Sequence, residues 1–378
     1  MRSHSVFPYQ EIMHAGNRIE RDAIFFSGGP LPLVRLRAEN SRLRIKVPVT
    51  TGRRHREERT LLKLSHISLV VLLCLSCVSV GSMKGARSQA GSSQKPLLGL
   101  KPVGVVGDSK LGAAFLSQPT GITVDPMGNM FIADTGNDRV VKCDREGRFL
   151  AEAGGYGWGN GQFNRPTYLD TDNGLSLYVV DAQNKRIQRL DGNLNFVSVI
   201  QPKSEGDFLG WGSPEGIAVT GSGEIFVSDT QDDWVVKLDG FLEYERSFGG
   251  FGQSGGGLRD PKGVCVDLDG EIYVADSQND RVVVFDSFGN ALRNVGEGVL
   301  QQPAGAAVDG DGRVYVANSG GNSVLVFDSE GGLITEYEGS FPGMAGLSRP
   351  TDLKLDRAGR LLVVDSGNNR VLVFEMIR

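Results

Sequence analysis

DTGNDRVV, residues 134–141, is the stretch on which the fold turns. Versions of it recur at 181–188, 229–236, 276–283, 318–325 and 365–372, at steps of 47, 48, 47, 42 and 47 residues. Around the first copy, Ile122 and Val124 alternate with their neighbours, and Pro126-Met127-Gly128-Asn129 turns the chain. A second apolar run, 130–133, leads into the polar loop 134–138, after which Val140, Val141 and Cys143 mark a third strand. Arg145-Glu146-Gly147 turns again before a fourth strand at 149–153. Antiparallel four-stranded units repeated at a period in the forties predict sheets stacked radially, with both faces buried. Six units therefore predict an all-β fold, a six-bladed β-propeller of four-stranded antiparallel blades.

Each unit opens on a proline: Pro119, Pro166, Pro214, Pro261, Pro303 and Pro350. Three residues earlier stands a bulky apolar residue, Leu116, Phe163, Trp211, Leu258, Leu300 or Leu347. That regularity marks a packing position, so Trp211 reads as core and not as a ligand-stacking residue. Glycine follows two after the proline at Gly121, Gly216, Gly263 and Gly305, whereas Tyr168 and Asp352 take its place in the other units. The last unit runs out at its third strand, 371–378, while 101–107 has the pattern of a fourth. The N-terminal strand is expected to complete the last blade and close the ring, which removes exposed sheet edges. The propeller is assigned to 97–378.

The net charge of −5 divides unevenly: 16 Lys/Arg face 6 Asp/Glu up to residue 96 (+10), and 24 face 39 beyond it (−15). A propeller of that sign repels phosphate backbones, which argues for no nucleic-acid partner. Residues 64–83 carry no charge with His66 neutral, and the dense core at 67–80 is 14 residues long, a length suited to a signal peptide. Arg53, Arg54, Arg56, Arg59 and Lys63 precede it, so the chain that follows is expected to leave the cytoplasm. Segment 61–83 is read as a signal peptide or a membrane anchor, with cleavage at the small residues Ser79-Val80-Gly81 favoured. Lipid attachment at Cys77 is a third reading, because Leu75-Ser76-Cys77 is similar to a bacterial lipobox, although Cys74 stands where that motif has leucine. The stretch 84–96 reads as a flexible linker. Residues 1–60 show no helical or alternating pattern and are expected to be disordered, or to lie upstream of a true start near residue 60. The protein is thus expected to be periplasmic, extracellular or membrane-anchored.

The units resemble NHL repeats, whose pattern runs Pro-x-Gly-Ile-Ala-Val-Asp, Gly-x-Ile-Tyr-Val-Ala-Asp and Asn-x-Arg-Val. Residues 261–285, PKGVCVDLDGEIYVADSQNDRVVVF, follow it nearly throughout. The resemblance covers 97 to the C-terminus and implies a six-bladed propeller without implying one activity. Such propellers include ligand and protein binders, animal RNA-binding domains and a copper- and zinc-associated amidating lyase, which holds zinc with histidines in its channel. Here His4, His14, His55 and His66 all precede the propeller. No imidazole is left there to hold zinc, copper or iron, or to serve as general base or triad member. Lactonase-type six-bladed propellers set Glu, Asn and Asp around a central calcium. A calcium site at the channel mouth, and a calcium-dependent hydrolase, therefore stay open as the alternative. Cys143 and Cys265 fall in units one and four, across the ring from each other, beyond disulfide reach.

The periodic Asp134, Asp181, Asp229, Asp276 and Asp365 read as acceptors for backbone N–H groups of the following loop, not as metal ligands. Arg139, Arg186, Arg281 and Arg370 keep the arginine of the repeat, and Trp234 and Ser323 replace it. Two readings stand for these arginines: ion pairs with a nearby aspartate, or an anion-recognising rim broken at blades three and five. Trp234 is the solitary aromatic of that series, and the glycine-rich interblade loops bring Tyr156, Trp158, Phe248 and Phe251 to the same face. Those loops are not phosphate loops, since no helix and no Lys-Ser/Thr ending follows. The expectation is an exported, non-catalytic module without a cofactor, binding a protein or peptide partner. Its rim would be Arg139, Arg186, Trp234, Arg281, Arg370, Tyr156, Trp158 and Phe251.

Overall fold

The computed structural model describes residues 99–171, 174–201, 210–250, 255–339 and 345–377, together with the backbone of 35–39 and 42–46. Segment 61–83, Cys77, the linker 84–96 and Phe251 lie outside the described residues. The chain divides into two compact units, Met1–Ser92 and Ser93–Arg378. In the first, Arg35–Glu39 pairs antiparallel with Arg42–Lys46. The alternation of Arg-Leu-Arg-Ala with Arg-Leu-Arg-Ile on either side of Asn40-Ser41 suits a hairpin, a pattern passed over when 1–60 is read as featureless.

The second unit consists of six four-stranded antiparallel sheets. Blade one runs Gly121–Val124, Met130–Asp134, Arg139–Cys143 and Phe149–Gly154, hydrogen-bonded in that order. Four more blades repeat it. The sixth takes Pro350–Leu355, Arg360–Asp365 and Arg370–Ile377 from the C-terminus and its outer strand, Gly99–Val106, from the other end of the domain. The closing pair runs antiparallel from Val371 opposite Val106 to Ile377 opposite Gly99.

Middle strands are apolar on both faces because each blade is covered by a neighbour on either side. The core is accordingly six interblade layers. Phe131 and Val140 of blade one meet Leu169 and Leu177 of blade two, and on the other face Ile122, Met130 and Val141 meet Leu362, Val364 and Val371 of blade six. The apolar residue three before each proline is buried in all six units, Trp211 among them. A leucine-to-alanine change in such a layer costs about 2–5 kcal/mol.

First strands of successive blades abut and ring the axis. Their closeness explains the glycines two after the proline. A Cβ on Gly121 would fall 2.6 Å from the Thr167 carbonyl oxygen of the next blade, and one on Gly263 2.8 Å from that of Ala304. The residue just after the proline ties blade to blade: Thr120 Oγ1 donates to the Thr167 carbonyl at 3.0 Å, and Thr167 Oγ1 to that of Glu215 at 2.9 Å.

Candidate functional site

The repeated octapeptide builds the loop face. In blade one, Asp134 Oδ1 accepts the Ser117 amide at 2.7 Å, while Oδ2 accepts Asn137 Nδ2 at 2.8 Å and Arg139 Nε at 2.7 Å. Asp181, Asp276 and Asp365 do the same with the amides of Asn164, Arg259 and Ser348 and with Arg186, Arg281 and Arg370. The amide bound belongs to the loop preceding the blade, not the following one as expected, because that loop folds back over the blade's inner end. Asp229 also takes an amide from its own loop, that of Gln231 at 3.1 Å.

The four arginines are placed within the wall. The Arg139 and Arg186 side chains are 7 % and 10 % exposed, and both are committed to aspartate. Further nitrogens hold interblade loops by their carbonyls, Arg139 that of Ala114, Arg186 those of Trp158, Gly159 and Gln162, Arg281 that of Gly257 and Arg370 that of Ala345, while Arg139 Nη1 pairs with the Glu152 carboxylate. Trp234 fills the arginine slot of blade three, half-buried against the layer between blades two and three, with its Nε1 buried and unpartnered among the described residues. Phe248 is buried between Phe226 and Phe285. Tyr156 and Trp158 stand 69 % and 67 % exposed on the interblade loop that Arg186 braces.

The axis is plugged by the two departures from glycine. Tyr168 of blade two crosses the channel, its single hydroxyl proton shared between the carbonyls of Ala304 at 2.7 Å and Thr351 at 2.9 Å. Gly263 leaves room for that ring, since a Cβ there would lie 3.1 Å from Tyr168 Cε1. A second trans-channel link is Lys354 Nζ to Asp170 Oδ1 at 2.8 Å, blade six to blade two. Asp170 also accepts from Thr123 Oγ1 and the Val219 amide. Asp352 accepts the Ile122 and Leu353 amides, yet burial pushes its carboxyl up to about 7. Burial likewise pushes the Cys143 and Cys265 thiols up to about 12, which makes both poor nucleophiles.

Beside Tyr168 opens a polar pocket of about 370 Å³. Most of its wall comes from residues flanking the prolines, and Tyr168 with Thr135, Ser277, Gln278, Ser319 and Ser366 of the octapeptides completes it. Those before proline are Gln118, Arg165, Asp260, Gln302 and Arg349, and those after it Thr120, Glu215, Lys262, Ala304 and Thr351. The five pre-proline residues all have left-handed backbones, φ 44° to 58°. Each amide is held by an Asp or Asn of the preceding blade's octapeptide: Arg165 by Asp138 Oδ1 at 2.6 Å, Gln118 by Asn369 Oδ1 at 2.7 Å. Blade two offers Lys185 at that octapeptide position, which cannot accept, and Ser213 of blade three is not left-handed. The ring is therefore irregular at blade three, beside Glu215.

The pocket's charges are arranged unevenly. Lys262 Nζ is bound to Asp260 Oδ1 at 2.9 Å. The side chains of Arg165 and Arg349 are exposed and make no hydrogen bond or ion pair among the described residues. The Glu215 carboxyl is raised by burial, with Lys262 and Arg165 pulling the other way. This donor set does not suit calcium, which takes about six to eight oxygens. The mouth brings two carboxylates among three cations, and among the described residues no three acidic, Cys or His groups converge. Sequence reading missed the flanking positions because its search was for what the copies share. The signal lay in the same proline register, where the neighbours of proline are charged in some units and neutral in others.

A closed propeller with an open pocket at one end of its axis defines the class of the protein. The NHL repeat family matches at 116–143, 258–285, 300–327 and 347–374, which are blades one, four, five and six. The chain is a six-bladed β-propeller that carries four NHL repeats. No curated protein sequence matches it. Solved structures similar in fold include a streptogramin B lyase, at 12% identity and TM-score 0.51, with 74% of this chain and 98% of that one covered. A catalytically inactive histidine-to-alanine variant of virginiamycin B lyase from Staphylococcus aureus with quinupristin aligns at 15% identity and TM-score 0.52, over 74% and 88%. A protein of unknown function from Bacteroides thetaiotaomicron aligns at 14% and 0.56, over 74% and 76%. The two blades outside the family match supply Arg165, Tyr168, Asp170 and Glu215 to the channel and its pocket, and the matched sixth blade supplies Arg349, Asp352 and Lys354.

Proposed function

We propose that this propeller is an exported, non-catalytic binding module that takes a protein or peptide partner on its loop-rich face, with an acidic group of that partner seated in the axial pocket. The observation that carries the reading is the pair Arg165 and Arg349, exposed at the pocket and without a partner among the described residues. Guanidinium groups bind carboxylates in a planar, two-pronged geometry, and the braced loops around them limit the ordering cost of binding. Tyr156 and Trp158, exposed on one such loop, add apolar area of the kind that anchors interfaces. The volume lies near the lower end of the range for ligand pockets, about 300–1,000 Å³.

A catalytic alternative is made concrete by the lyases of similar fold, and the inactive Staphylococcus aureus variant was made by replacing a histidine. In this chain the histidines stop at His66, before the propeller. The test is a titration of the full-length protein with fluorescent acidic peptides, alongside an ester-hydrolysis assay with and without chelator. Arg165→Ala with Arg349→Ala should weaken binding at least about tenfold at an unchanged melting point. Equal binding by the double variant, or chelator-sensitive turnover of an ester, would sink the reading.

A further inference from the structure

Glu215 is a charge of the pocket wall that the fold leaves without a partner among the described residues. It is 9 % exposed and lines the axial pocket. Its backbone carbonyl takes the Thr167 hydroxyl, but its carboxylate has no hydrogen bond or ion pair among the described residues. The cation beside it, Lys262, is bound to Asp260. Thr120 and Thr167 occupy the same register in blades one and two, and their hydroxyls stitch neighbouring blades. Glu215 does no such stitching. Its carboxylate oxygens are not sealed from solvent but open onto the pocket, so a ligand there can supply the donor that the fold does not.

The charge around the mouth has a direction. Arg349 of blade six and Arg165 of blade two flank blade one and carry two positive charges without a partner among the described residues. With Lys262 neutralised by Asp260, blades three and four present one net negative charge, that of Glu215. We propose that the pocket takes a zwitterionic group, its carboxylate held from Arg165 and Arg349 and its ammonium by Glu215. Both a free amino acid and a short peptide carrying its own termini have this chemistry. The inference rests on the pocket being the binding site, and adds what Glu215 demands of the ligand.

Calorimetry on the full-length protein separates the possibilities with four probes: triglycine, N-acetyl-triglycine, triglycine amide and glycine. Wild type should prefer triglycine about tenfold over the acetylated and the amidated forms. Tighter triglycine than glycine assigns a peptide and the reverse a free amino acid, and either agrees with the proposal. Glu215→Gln should abolish the preference over the acetylated probe while still binding that probe, and Arg349→Ala should abolish the preference over the amide. Should Glu215→Gln melt early, the ratios on wild type decide alone. If wild type binds the acetylated probe as tightly as triglycine, the zwitterion is refuted and carboxylate recognition stands. If no probe binds, or the acetylated probe binds without regard to the arginines, both readings fall.

Discussion

Within DTGNDRVV each polar side chain has its own task. Asp134 gathers a loop amide and a guanidinium, Asn137 Nδ2 reaches that aspartate and the Phe115 carbonyl, Asp138 turns left-handed and holds the next blade by the Arg165 amide, and Arg139 closes the loop from its carbonyl side. The pairing of Asp with Arg explains a coupled departure in blade five, where Asn318 and Ser323 replace both. Asn318 Oδ1 still accepts the Gln301 amide at 2.6 Å, and its Nδ2 donates to Ser323 Oγ at 3.0 Å, so the site stays satisfied without charge. Blade three keeps Asp229 opposite Trp234 by another route, with three backbone amides, those of Gly212, Ser213 and Gln231. Asn318→Asp alone buries a carboxylate with neither remedy and should cost roughly 3 kcal/mol in urea unfolding. Ser323→Arg added to it should recover most of that loss. Strict additivity of the two changes would show that the ion pair is not the unit of stability here.

At the level of the strand, the ring depends on one non-sequential pair, Gly99–Val106 along Arg370–Ile377. Leu100 and Val106 are buried by it, in the layers between blades five and six and between six and one. Removing residues 99–106 would strip two interblade layers at once. The whole domain should then unfold at a lower temperature in a single transition, with hydrogen exchange rising in blades one and six together. Fraying confined to Arg370–Ile377 would mean that the ring does not need its closure. Much of this was legible beforehand, because prolines, the apolar residue three before each, and the incomplete last copy all repeat in kind. The pocket was not. Gln118, Arg165, Asp260, Gln302 and Arg349 share a backbone register but no one residue type, so a search for likeness passes over them. Of the two readings of the octapeptide arginines, the geometry matches the ion pair, since each is turned into its own blade by an aspartate five residues back.

Across the whole molecule, the channel is where all six blades meet and where burial acts most strongly on charge. Asp352 occupies a glycine position against the axis, with Lys354, Asp170 and Cys265 acting on it or beside it and Tyr168 crossing the same channel. Its carboxyl is pushed by burial to about 7, against 3.8 for an exposed aspartate, although the Ile122 and Leu353 amides and Lys354 favour the ion. Between those two values the folded protein holds a proton that the unfolded chain has released. Stability from this group is therefore complete below about pH 4, declines as pH rises, and levels off above about 7, by at most ~1.4 kcal/mol per unit. Other carboxylates, paired or hydrogen-bonded in the folded state, push the opposite way in acid, so the group shows in a difference. Asp352→Gly restores the residue found at this place in four other blades and removes the titrating group. Unfolding free energies of wild type minus variant, measured in urea from pH 4 to 8, should fall steadily as pH rises and flatten near neutrality. A difference that is flat across this range would mean that Asp352 stays ionised in the folded ring. The Lys354–Asp170 bridge would then be stabilising both carboxylates at once, one by contact and the other through space.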